Sequence, residues 1–155
     1  MEKETLIKKA YEVFSGCAKP KHCAGGGQEE AEFDDLLRPV SLRQLTMEQV
    51  GTPAWSPLPL MTAEALAYFM PRLIELAVTD AVDRDSEPFF CFFINSFHEG
   101  PLDERFTLFD RARGMIMAET FDFLRAAYGD RLKMEGWYDE ALRGAQSWRD
   151  EGLVR

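Results

Sequence analysis

Residues 103–128, DERFTLFDRARGMIMAETFDFLRAAY, decide the fold. On a 3.6-residue wheel Leu108, Phe109, Ala112, Met115, Ile116, Phe123 and Ala127 share one broad face. Phe106, Met117, Phe121, Leu124 and Tyr128 share a second face nearly opposite, and Arg111, Gly114, Ala118, Asp122 and Arg125 make a narrow polar strip. A surface helix buries one stripe; a helix apolar nearly all round has neighbours on several sides. The pattern therefore predicts a long central helix over 103–128. Asp103 is a good N-cap after Pro101, Glu104 suits the first turn, and Gly129 suits a left-handed stop.

Glu119 breaks the pattern, lying on the first apolar face between Met115 and Phe123. A buried carboxylate needs a partner or must stay protonated, because burying an isolated charge is costly. A hydrogen bond or ion pair to Arg43, Arg72, Tyr68 or His98 is the first reading. A binding or catalytic carboxylate is the second, and a rotated helix that exposes it is the third.

Working outward, the 155 residues suffice for one domain with a sizeable core, and 46% hydrophobic with 29% charged residues is ordinary globular composition. There is no apolar run of about 18 residues to span a membrane. The first residues, MEKETLIKKAYEVF, carry charge throughout and do not resemble a secretory signal, so cytoplasm is the expected compartment. The formal net charge is −9, from 27 acidic and 18 basic residues, with no cluster of Lys and Arg. That balance argues against nucleic acid and against anionic lipid, and mildly favours a basic partner surface. Cys17, Cys23 and Cys91 are odd in number and too few for a disulfide framework, so reduced thiols are expected.

Before the central helix, residues 2–14 read as a first helix with Leu6, Ala10, Val13 and Phe14 on one face. A flexible loop at about 16–28 follows, carrying Pro20 and the triple glycine Gly25-Gly26-Gly27. Residues 29–38 form a short acidic helix stopped by Pro39. Ser41 and then Thr46 with Gln49 are capping signals, and Pro53, Pro57 and Pro59 predict an extended segment at about 51–61. Thr62 caps a helix running to about residue 82, bent at Pro71 because its ring removes one backbone bond and crowds the carbonyl of Ala67. The Phe-rich stretch 86–98 fits strand composition, but its helical spacing between Pro88 and Gly100 favours a helix. Residues 130–135 read as a connector, and Trp137, Ala141, Ala145 and Trp148 stripe a last helix ending at Gly152. The expected architecture is all-α: a single compact domain of five or six helices packed around the 103–128 helix.

Chemistry has few places to sit. Cys17, His22 and Cys23 are soft ligands close in sequence, which zinc prefers, but a structural zinc site wants a second ligand pair. An ordinary loop with free thiols outweighs a metal site, and no other cofactor is expected. The triple glycine lacks the strand and the G-K-[ST] ending of a phosphate loop. His98 stands at a helix C-terminus, where dipole capping outweighs catalysis. HEGPL lacks the second histidine of a metalloprotease motif, and no nucleophile elbow or catalytic triad is legible. Trp55 and Tyr68 could line an aromatic pocket or a partner surface, with core packing the plainer role for Trp55.

From Trp55 through the Tyr68-Phe69-Met70-Pro71 segment, with His22-Cys23 upstream, the chain resembles a family of small uncharacterised bacterial proteins over roughly residues 15 to 128. The resemblance implies a compact, mainly helical domain and supplies no activity. These signs favour a non-enzymatic protein–protein interaction module of the bacterial cytosol: an inhibitor, immunity-type partner or adaptor that binds through Trp55 and Tyr68. The rival is a small-molecule binder or hydrolase with a pocket around Glu119, Tyr68 and His98.

Overall fold

A computed structural model of the chain describes residues 1–50, 56–80 and 87–152. Among them are seven α-helices: α1 (Lys3–Val13), α2 (Gln28–Leu37), α3 (Met47–Val50), α4 (Ala63–Val78), α5 (Phe89–Phe97), α6 (Arg111–Glu135) and α7 (Tyr138–Gly152). The one strand-like pairing among the described residues is an isolated antiparallel bridge between Ala24 and Met61. The fold is a single compact all-α domain. Residues 51–55, with Trp55 and the Gly51 stop, lie outside the described residues, and so do residues 81–86 with Ser86.

The long helix sits seven residues later than its pattern predicts. Asp103 caps only a short 3₁₀ turn, Glu104–Phe106, by accepting from the Arg105 N–H at 2.9 Å. Asp110 caps α6 itself by accepting from the Arg113 N–H at 2.9 Å. At the other end Gly129 is not a stop. The helix carries on through a break in regular geometry at Tyr128, where φ is −125°, and runs to Glu135, so the expected connector at 130–135 is helical. The true stop is Gly136, at φ 81°. There the Trp137 N–H reaches the Leu132 carbonyl at 2.9 Å and the Gly136 N–H the Lys133 carbonyl at 3.3 Å. These are the paired bonds of a Schellman cap, which needs a left-handed residue and so favours glycine.

The wheel is corrected as well. Gly114 and Ala118, assigned above to the polar strip, are buried along with Ile116, Met117, Thr120, Phe121 and Leu124, whereas Ala112 and Ala127 are exposed. Small residues there let neighbours come close. On α7, Gly144 lies so near α6 that a Cβ on it would stand 2.7 Å from the Phe121 ring. The α6–α7 hairpin is the most extensive helix pair, and α6 also meets α1, α4 and α5. α4 shares the centre of the domain: eleven of its sixteen residues are buried, Pro71 among them, and it runs unbroken from Ala63 to Val78. Thr62 caps it as expected, accepting from the Ala65 N–H at 3.1 Å. The last helix buries Ala141, Ala145 and Trp148. Instead of extending throughout, the proline-rich segment makes a 3₁₀ turn at Leu58–Leu60.

Aromatic rings tie the elements together. Phe93 meets Phe121 and Phe97; Phe97 meets Phe106; Phe106 and Phe109 meet Trp148; and Phe109 meets Phe14, with centroids 4.9 to 5.9 Å apart. This run joins α6, α5, the 104–109 turn, α7 and α1 through mostly edge-on contacts, the geometry ring quadrupoles prefer. The Trp148 indole N–H donates to the Phe97 carbonyl at 2.7 Å, so this buried donor is satisfied. No helix among the described residues is long and apolar enough to cross a membrane.

Candidate functional site

Among the described residues, the expected site residues Glu119, Tyr68 and His98 do not line a common pocket. Glu119 is half-buried in a surface depression lined by Met1, Asp122, Phe123, Ala126 and Ala127. Its Oε2 has no hydrogen-bond partner among the described residues, so none of Arg43, Arg72, Tyr68 and His98 answers it. The reason is rotational: the buried stripe of α6 runs through Gly114, Met117, Ala118 and Phe121, on nearly the opposite side of the helix from Glu119. Neither Tyr68 nor His98 lines that depression. His98 is the C-cap of α5, where its backbone N–H donates to the Ile94 carbonyl at 2.9 Å.

The Cys/His loop is organised by a residue the sequence reading passed over, Asp34. This carboxylate is buried at 7% exposure on α2. It accepts from the Cys23 backbone N–H at 2.6 Å and meets His22 Nδ1 at 3.0 Å, with Arg38 Nε at 3.8 Å. Burial alone would raise its pKa, but the bonds from His22, Cys23 and Ala24 outweigh that and hold it below the usual carboxylate range. The Cys23 carbonyl accepts from the Thr62 N–H at 3.0 Å, and Cys23 itself is fully buried. Burial raises its thiol pKa, and Asp34 adds to the effect, so it is a packed group and not a poised nucleophile. Cys17 lies elsewhere, beside Arg113 in a shallow recess. Among the described residues no three His, Cys, Asp or Glu side chains are grouped to hold a metal ion. Cys91 is buried too, its thiol pushed up to about 12 by desolvation.

The arrangement with the most defined chemistry lies between α1 and α4. There an open groove of about 690 Å³ is lined by Glu4, Ile7, Lys8, Tyr11, Glu12, Ser15, Arg43 and Glu75. Glu75, on the less buried side of α4, accepts from the Tyr11 hydroxyl at 2.7 Å and from Arg72 at 2.6 Å. Burial acts against its ionisation, but the Tyr11 and Arg72 bonds prevail and its pKa falls. Tyr11 is pushed up to about 12, first by burial and then by Glu75, so it stays a neutral donor. The Arg43 guanidinium stacks over the Tyr11 ring, 3.9 Å from its centroid.

Arg43 sits there because both ends of its 3₁₀ turn, Leu42–Gln44, are tied to α4. The Leu42 N–H donates to the Tyr68 hydroxyl at 2.9 Å, and Arg72 Nε donates to the Leu45 carbonyl at 2.8 Å. The Tyr68 hydroxyl thus helps to hold the turn that carries Arg43. Among the described residues Arg43 has no hydrogen bond or ion pair of its own.

The chain matches no family model, no curated protein and no solved structure. The groove therefore has to be read from its own geometry. One part of it was visible in advance: Arg72 and Glu75 are an i,i+3 charge pair. Tyr11 and Arg43 reach that pair only through tertiary packing, 64 and 32 residues away from Glu75 in the chain, and no local signal marks them.

Proposed function

We propose that this protein is a binding module that engages another protein through the groove between α1 and α4. The observation that carries this reading is Arg43: a guanidinium stacked on a fixed ring, its N–H donors uncommitted at an open surface. Arginine and tyrosine dominate the energetics of protein interfaces, and side chains held in place before binding lose less entropy on association. The restraints on Tyr11 by Glu75, and on the Arg43 turn by Tyr68 and Arg72, supply that preorganisation. Ile7 and the Tyr11 ring offer an apolar floor, and Glu4, Lys8 and Glu12 form a polar rim.

A peptide-display selection against the immobilised protein tests this. Enriched peptides should perturb the NMR signals of Ile7, Tyr11 and Arg43, and Arg43→Ala should weaken them at least roughly tenfold. Arg43 is exposed, so that substitution leaves the core untouched. Peptides that all map elsewhere, or that ignore Arg43→Ala, would refute the reading.

A further inference from the structure

The groove's free charges specify more than a site; they specify an occupant. Glu75 lines the same groove and its charge is felt by Arg43, yet its hydrogen bonds are made to Arg72 and Tyr11 and it forms no ion pair with Arg43. Among the described residues Arg43 makes no hydrogen bond or ion pair, so its planar fork of donors is open to a carboxylate, which it can hold through two parallel hydrogen bonds. The Tyr11 ring, 3.9 Å from the guanidinium carbon, holds the cation at the groove without using any of its N–H donors. On the α1 wall the charges alternate, Glu4, Lys8, Glu12, at one-turn spacing, and none of the three has an ion pair among the described residues.

Resting on the partner-binding reading above, we infer that the groove receives a protein segment in which an Asp or Glu side chain follows an apolar residue and is flanked by basic residues. The acidic side chain pairs with Arg43, the apolar one covers Ile7 and the edge of Tyr11, and the basic flanks meet Glu4 and Glu12. A side-chain carboxylate fits better than a chain terminus. Terminal carboxylates are captured by free backbone N–H groups, whereas beyond Glu4 in the first turn this wall is built from Ile7, Lys8, Tyr11 and Glu12, whose N–H groups are spent in the helix. The basic flanks agree with the formal net charge of −9, which draws positively charged segments toward this surface.

Two capped peptides test the inference, acetyl-Lys-Leu-Glu-Lys-amide and its Gln analogue, titrated against the isotope-labelled full chain. The Glu peptide should shift Ile7, Tyr11 and the Arg43 Nε signal and bind about fivefold more tightly than the Gln peptide, as a charge-assisted bond exceeds a neutral one. Arg43→Gln should bring the two peptides to equal affinity. Equal affinities on the wild-type chain, or a preference for Glu that survives Arg43→Gln, would overturn it. The display selection separates this failure from that of the broader reading. Selected peptides that occupy the groove without an acidic residue overturn the carboxylate inference alone, and peptides that never occupy it overturn both.

Discussion

Asp34 shows how one side chain can set the shape of a loop that composition alone reads as slack. It holds the Cys23 N–H and His22 while staying ionised in a buried position. Asp34→Asn keeps one acceptor and the shape but gives up the charge, and should cost about 1.5–3 kcal/mol near neutrality, the range for hydrogen bonds to charged groups. The pH dependence has a definite sign. A carboxyl whose folded pKa lies below its unfolded value of about 3.9 adds stability above that value and loses it as pH falls through the folded pKa. Thermal melts of wild type and Asp34→Asn should therefore converge as pH drops below about 4. Glu75 and Asp103 also have lowered pKa values, but they are common to both proteins and cancel in the difference. A gap that stays constant down to acid pH would mean that the charge of Asp34 contributes nothing. Asp34 was missed because its neighbours Phe33, Leu36 and Leu37 mark the helix face, while its partners come from a loop eleven and twelve residues earlier. Glu119 was over-read for the converse reason: the wheel assigned it to a face before anything fixed which face packs.

At the level of helices, existence and type were legible and most ends fall within a residue or two of the pattern, but both ends of α6 and the end of α4 do not. The 3.6 period marks α4, α5, α6 and α7, and capping chemistry marks the start of α4. Two glycines near the end of α6 compete as stops, and sequence gives no means of choosing, because either could adopt a left-handed conformation. Packing chooses Gly136 by turning the chain into the α6–α7 hairpin. The two positions should then answer oppositely to alanine. At Gly129 the backbone is helical and an added Cβ would be in ordinary contact, 3.5 Å from Tyr138, so Gly129→Ala should raise stability by up to about 1 kcal/mol. Gly136→Ala forces a side chain into the left-handed region and should cost about 1–2 kcal/mol. Urea denaturation of both variants decides the matter; the reverse order of stabilities would restore the stop to Gly129.

Across the whole molecule, the all-α class follows from local pattern, whereas the candidate site arises from contacts that join distant parts of the chain. Tyr11 on α1, the Arg43 turn and the Arg72–Glu75 pair on α4 come together only in the finished fold. Arg43, Arg72 and Tyr68 were each named as partners for Glu119, which none of them meets; Tyr68 and Arg72 instead bond to the turn that carries Arg43. The groove depends on α1 being seated against α4 and α6, which it meets along its buried face of Leu6 and Ala10 with Phe14 just beyond.

That seating, with the anchors around Asp34, makes the chain divisible. Cys23 and Ala24 are stitched to Thr62 and Met61 on one side of the triple glycine, and α2 begins at Gln28 on the other. A cut within Gly25–Gly27 would sever no buried contact, since all three glycines are exposed. Peptide 1–25, made separately from 26–155, should recombine with it on mixing and restore the melting curve of the intact chain. If the pieces stay apart, α1 is held by connectivity and not by its own interface. If they rejoin, the groove can be assembled on demand, with Tyr11 on one piece and Arg43 and Glu75 on the other, so that binding to it reports the meeting of two polypeptides.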